Sequence, residues 1–272
     1  MKKLFKCTFG AAIAALSRAA TNGPGWMRAT AAFMLSRIDP RRRITAGHVR
    51  FQMHVSSPIE RWRADTVLTK EPETIAWLDR TIAAESVFYD VGANVGLYSL
   101  YAANLFPGAV RAVCFEPEPM NFARLNQNIA ANGLSERMIA YPVGLGAERR
   151  FDIMPLSVLE SGGALHGAAS IEDGAAAHVV GVSIWPLDDV LAAASELPRP
   201  THLKIDVDGP ELAVVTGAKA MLGDPALRHV LIEVTAAERG TIEAALAGAG
   251  FEVTAQGAEH DGMFNLIFEK RS

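Results

Sequence analysis

From Val87 onward the chain alternates between short, nearly unbroken apolar runs and longer stretches whose apolar residues recur every three or four positions. The runs are VFYDV (87–91), VRAVCFE (110–116), RMIAYPV (137–143), HLKIDV (202–207) and HVLIEV (229–234), all of strand length. The stretches between them predict helices over 94–105, 120–132, 187–194, 210–222 and 239–249. Continuous apolar runs suit strands covered on both faces. Their alternation with helices predicts right-handed βαβ units around a mostly parallel sheet. FEVTAQ and MFNLIFEK follow, separated only by a short GAEHDG connection, so this last pair should be antiparallel and lie at an edge of the sheet.

Ahead of this core, RITAGHVRFQMHV alternates well enough for a strand pair, and KEPETIAWLDRTI carries Ile75, Leu78 and Ile82 on one helical face. The segment from Leu156 to His178 follows no regular period and is rich in Gly, Ala and Ser. A loop of that length in a compact domain is usually functional or mobile. The N-terminal pattern MKKLFKCTFGAAIAALSRAA predicts a helix ended by NGPGW. Its apolar stretch is too short to span a bilayer. An amphipathic helix touching a membrane weakly is the favoured reading; a signal peptide and a plain helical extension are the alternatives. The division that follows is a helical extension over 1–43 and one domain over 44–272, with its core starting at 82. PRRR, ending at Arg43, reads as a solvated linker.

Composition changes this picture little. The 272 residues are 50% hydrophobic and 21% charged, ordinary for a globular chain able to bury a sizeable core. The net charge of −4 argues against nucleic-acid binding through charge alone. Two distant cysteines, Cys7 and Cys114, form no disulfide framework and no zinc motif. A reducing, cytoplasmic setting fits, with membrane association confined to residues 1–20.

The chemistry lies where strands end. VFYDVGANVG runs from a buried strand into Asp90, then through Gly92, Ala93 and Asn94 to Gly96 at a helix start. Glycine turns the backbone without a Cβ clash, and unpaired N–H groups at a helix start favour electron-rich ligand atoms. The spacing is not the Gly-x-Gly-x-x-Gly of nicotinamide cofactor sites, which disfavours an oxidoreductase. The next strand also ends on an acid, Glu116, about twenty residues on, where a carboxylate can accept both ribose hydroxyls. Pro117 and Pro119 stop that strand; capping of the following helix is the structural alternative for Glu116. Lys204, Asp206 and Asp208 share one face of HLKIDVDG, and Glu233 nearly ends HVLIEV. Charges in a doubly covered sheet are costly unless they reach a cleft or a partner. Asp90, Glu116, Asp206 and Glu233 should therefore meet at the carboxyl edge of the sheet, where open α/β sheets bind ligands.

EPET, FYDVGANVGLYSL, FEPEPMNFARLNQNI, HGAAS and KIDVDGPELAVVTGAKAML, in this order, resemble the FkbM family of class I S-adenosylmethionine-dependent methyltransferases. The resemblance implies a Rossmann-like, doubly wound α/β fold and S-adenosyl-L-methionine as cofactor. It implies that the Asp90–Gly96 turn holds the methionine part, Glu116 the ribose, and the loop near Val143 and Gly144 the adenine. Here that loop lacks the small residue plus aspartate often found in the family, and Asp208 stands in place of a glutamate. The family mostly methylates hydroxyl oxygens of sugars, polyketides and related small molecules, so the implied activity is an O-methyltransferase acting on a small molecule or glycan. A non-catalytic binding module of the same fold is the rival reading.

A hydroxyl acceptor must lose a proton. Asp206 is the first candidate for base or anchor, with Lys204 to hold it ionised; a structural ion pair is the alternative. His166, in the irregular loop, is a second candidate base. Ser170 in that loop and Glu233 are candidate contacts to acceptor hydroxyls. Asp206 with Glu233 offers oxygen ligands for Mg²⁺, but no His/Cys cluster supports a transition metal, and no metal is expected.

Overall fold

The computed structural model describes residues 2–36, 40–156, 159–163, 178–260 and 262–271. The chain divides into two compact units, residues 1–41 and 42–272. The first holds helices α1 (Lys2–Asn22) and α2 (Gly25–Ser36). They part at Gly23–Pro24, where proline lacks the N–H that would continue the ladder. Among the described residues no helix is long and apolar enough to cross a membrane.

The second unit opens with β1 (Arg41–Ala46) and β2 (Val49–His54), a two-stranded sheet. Helix α3 (Pro58–Thr66) begins with a capping box: the Ser57 hydroxyl accepts the Glu60 N–H while the Glu60 carboxylate accepts the Ser57 N–H. Helix α4 (Pro72–Thr81) buries Ile75 and Leu78 as its spacing requires, with Ile82 buried just past its end.

Then follow β3 (Val87–Val91), α5 (Leu97–Leu105), β4 (Arg111–Phe115), α6 (Pro119–Ala131) and β5 (Met138–Tyr141). A three-stranded excursion comes next, with β6 (Gly144–Leu145), β7 (Arg150–Leu156) and β8 (His178–Trp185) in the order β6-β8-β7. The main sheet resumes with α7 (Leu187–Ala193), β9 (His202–Ile205), α8 (Glu211–Thr216), α9 (Lys219–Gly223) and β10 (His229–Thr235). The described chain closes on α10 (Arg239–Gly248), β11 (Phe251–Gln256) and β12 (Met263–Lys270).

The main sheet has the order β11-β12-β10-β9-β3-β4-β5. Strands β10, β9, β3, β4 and β5 are parallel, and β12 runs antiparallel to both its neighbours. The antiparallel pair thus forms one margin of a parallel sheet, with the C-terminal strand slotted between β10 and β11. Strand alternation splits the core. Phe88 and Cys114 face one apolar cluster with α4, α5 and α6. Val87, Tyr89, Leu203 and Ile205 face the other with α7 to α10. Each buried aliphatic or aromatic side chain contributes roughly 1.5–3 kcal/mol, and the sheet collects this on both faces.

Three departures from the sequence reading have local causes. Helix α5 starts at Leu97, not 94, because Asn94 (φ 52°) and Gly96 (φ 87°) adopt left-handed backbone. The helix expected over 210–222 is two, α8 and α9, joined at Gly217, where a Cβ would lie 2.0 Å from the Gly146 carbonyl oxygen. Strands β7 and β8 flank the irregular segment and were not legible as strands. On β7, Phe151 and Ile153 are exposed, so little of it alternates between apolar-in and polar-out.

Candidate active site

Four adjacent strands, β10, β9, β3 and β4, bring their carboxyl ends to one rim of the sheet. Asp90 sits one residue before the end of β3, in register with Lys204 of β9. Asp206 follows β9, Glu116 follows β4, and Glu233 lies near the end of β10. Beside this rim is a cavity of about 350 Å³. Asp90, Gly92, Ala93, Asn94, Lys204, Asp206 and Glu233 all line it, as the sequence reading placed them. Gly96, Glu116, Pro117, Val143 and Gly144 do not. His166 and Ser170 lie outside the described residues.

The glycine turn is built for close approach of the protein's own backbone. Gly92 has φ 80°, and a Cβ there would lie 1.8 Å from the Asp206 carbonyl oxygen. Gly96 makes room for the Leu125 side chain, which would lie 2.5 Å from a virtual Cβ. The turn's N–H groups are also largely spoken for: those of Gly92 and Ala93 reach the Phe115 carbonyl at 2.9 and 3.1 Å. What remains open is the first turn of α5, which has no side-chain cap and whose Leu97 and Tyr98 line the cavity.

Asp90 is buried. Its Oδ2 accepts the Ser99 hydroxyl at 2.5 Å, and Oδ1 has no partner among the described residues. Burial raises its pKa, against the pull of Lys204 and of the Ser99 bond. Lys204 is 1% exposed, with its ammonium 2.5 Å from Asp206 Oδ2 and 5.0 Å from the centre of the Tyr98 ring. Burial pulls the Lys204 pKa down, but Asp206, Asp90 and Glu71 more than offset it, and the ammonium stays charged. Asp206 is held low: burial pushes it up, and Lys204, aided by Lys70, overrides that. Glu233 goes the other way, pushed up to about 8 by burial and by the neighbouring Asp206. Asp206, Asp208 and Glu233 place one carboxylate oxygen each within 4.8 Å of one another.

Glu116 lies behind the Asn94 wall of the cavity, buried, its carboxylate accepting the N–H of Asn94 at 2.7 Å and of Glu118 at 2.9 Å. Helix α6 takes its cap from Glu118, whose oxygens accept the N–H groups of Met120 and Asn121. Capping, the alternative for Glu116, is thus filled by its neighbour. Burial raises Glu116 to about 7, although the two backbone N–H groups favour the charged form. Each of its oxygens retains a lone pair. Pro117 and Pro142 border a second cleft with Phe151 and Val182 of the β7–β8 hairpin. Val143 is half-buried against the core, and a Cβ on Gly144 would meet Ile184 and Pro117.

Most of the opposite wall comes from residues outside the strand-end motifs. Helix α3 supplies Ile59, Trp62 and Arg63, and Lys70 follows it. Residues 161–163 form a strap held from three sides. The Ser57 hydroxyl donates to the Ser161 carbonyl at 3.0 Å and Arg63 Nε to the Gly162 carbonyl at 2.8 Å. Ser161 also donates to Glu60. Asn121 Oδ1 accepts the Gly162 N–H at 2.7 Å, and the amides of Asn94 and Asn121 both donate to the Gly163 carbonyl. A signal was present: Ser57, Pro58 and Glu60 spell a capping box with proline at the first helical position.

Known proteins agree with this architecture. A methyltransferase FkbM domain is matched over residues 90–267. The chain is 29% identical over 211 residues to methyltransferase sdnD of Sordaria araneosa, covering 67% of this chain and 80% of that one. It is 30% identical over 203 residues to 31-O-demethyl-FK506 methyltransferase FkbM of Streptomyces tacrolimicus, covering 65% and 76%. It is 28% identical over 188 residues to hexuronic acid methyltransferase AglP of Haloferax volcanii, covering 67% and 69%. The chain belongs to the FkbM methyltransferase family.

Proposed function

We propose that the unit from residue 44 onward transfers a methyl group from S-adenosyl-L-methionine to a hydroxyl oxygen of a small molecule or glycan. The observation that carries this is the convergence of Asp90, Lys204, Asp206 and Glu233 from three adjacent strands on one cavity beside the glycine turn. The cofactor is a cation twice over, an ammonium and a sulfonium. The unpartnered, buried Oδ1 of Asp90 fits such a ligand, because a cation there satisfies the oxygen and favours its charged form. The named acceptors of two relatives, 31-O-demethyl-FK506 and a hexuronic acid, favour oxygen as the target.

When bound, the cofactor supplies a methyl already activated on sulfur. The chain's task is then alignment, which alone can lower a barrier by about 7–11 kcal/mol. Asp90 and the Ala93–Asn94 turn would hold the methionine part, and Glu116 the ribose hydroxyls through its remaining lone pairs. Asp206, locked by Lys204, would receive a hydrogen bond from the acceptor. Residues 161–163 would wall off solvent. The test is a labelled-methyl assay against D-glucuronic acid, methyl glucosides and macrolide alcohols. Label in an ether of one of them, with one S-adenosylhomocysteine released per methyl, supports the reading. Label found only on nitrogen or carbon contradicts it.

A further inference from the structure

Resting on that reading, we infer that Glu233, and not Asp206, is the base that takes the proton from the acceptor hydroxyl. The two carboxylates border the same cavity but differ in what already holds them. Asp206 Oδ2 is 2.5 Å from the buried Lys204 ammonium, an ion pair that a proton on Asp206 would break. The Glu233 carboxylate has no hydrogen bond or ion pair among the described residues. A base must have a free lone pair facing the proton it abstracts.

The surroundings of Glu233 favour a proton on it. Asp206 and Asp208 face it from the segment after β9, and Glu71 from the head of α4. Asn265 lies opposite it on β12 with its amide donating to Glu73, and Glu73 and His260 border the same space. Lys204 is the cation that counters them. Lys70, which borders the same cavity, pairs with Glu71 at 2.5 Å and also acts on Asp206. The result is a carboxylate raised to about 8, near the range in which a base both holds and releases protons at neutral pH. In the step, the acceptor oxygen forms its bond to the methyl carbon as the carbon–sulfur bond breaks, and sulfur keeps that electron pair. The hydroxyl proton passes to Glu233 Oε. Sulfonium and carboxylate charges disappear together, leaving a neutral thioether and a neutral carboxylic acid.

The test measures turnover of D-glucuronic acid against pH, at saturating S-adenosylmethionine, for wild type, E233Q and D206N. Wild-type turnover should rise tenfold per pH unit up to a plateau at or below pH 8, since a bound cation pulls Glu233 down. E233Q should lose about 10²-fold or more in kcat, lose the rising limb, and keep its cofactor Kd within threefold. D206N should keep the limb. Wild-type turnover with an E233Q loss under fivefold, or with the limb intact in E233Q, overturns the assignment and leaves methyl transfer standing. Loss of wild-type turnover in EDTA, restored by Mg²⁺, also overturns it, because the three carboxylates would then be ligands. Absence of cofactor binding in wild type overturns both.

Discussion

The Lys204 ammonium, almost wholly buried, lies 2.5 Å from an Asp206 carboxylate oxygen that the sequence places only two positions on. Strand alternation puts the Lys204 side chain on the face of β9 opposite Leu203 and Ile205, and Asp206 just past the strand end reaches it. The pair is therefore local in sequence yet lines the cavity. Removing one member leaves a charge poorly compensated. K204M should cost about 3 kcal/mol, at the low end for buried pairs because Asp206 is 21% exposed. K204M combined with D206L should recover most of that loss, since an apolar pair of similar volume carries no unpaired charge. Urea denaturation of the three proteins decides it; a K204M variant as stable as wild type would contradict the role given to the pair.

Gly92 tests the turn itself. With φ 80° and the Asp206 carbonyl oxygen 1.8 Å from a virtual Cβ, G92A must displace the segment that carries Asp206. It should destabilise by more than about 2 kcal/mol and abolish turnover. Gly133 has a similar φ of 64° but open space around it. G133A should cost only about 1 kcal/mol and leave activity alone. Thermal melts of both variants check the contrast.

Glu116 makes stability depend on pH. Its folded pKa of about 7 lies above the ordinary 4.5, so the native state holds a proton that the unfolded chain has released. That contribution is fully present below pH 4.5 and is lost as pH rises through 7. The apo protein's Tm should accordingly fall between pH 5 and 8, and E116Q should fall less steeply. The same variant should bind S-adenosylmethionine at least tenfold more weakly, since an amide nitrogen cannot accept the hydroxyl bonds a carboxylate does. Calorimetry at pH 5 and pH 8 reads both effects.

How much of this was visible in the sequence depended on whether a residue's neighbours set its place. The parallel strands were legible because each is a nearly continuous apolar run, and Asp90, Lys204, Asp206 and Glu233 because a charge ending such a run has nowhere to go but a rim. The part Leu125 plays beside Gly96 was not legible, because a left-handed glycine looks the same in sequence whatever fills the space beside it. Val143 and Gly144 were placed by family likeness alone, at the entry to the β6-β8-β7 excursion, which no local period announces. Ser57, Arg63 and the strap at 161–163 come from segments far from the core motifs, joined by hydrogen bonds across about a hundred positions. Local periodicity carries no trace of such contacts.

A crystal structure with S-adenosylhomocysteine shows whether the rim formed by β10, β9, β3 and β4 grips the methyl donor. The amino acid part should lie against Asp90 and Asn94, the ribose hydroxyls within hydrogen-bond reach of Glu116, and the sulfur on the side of the cavity facing Asp206 and Glu233. Density for the ligand away from that rim, or Glu116 still bonded only to Asn94 and Glu118 with the ribose elsewhere, would contradict this placement.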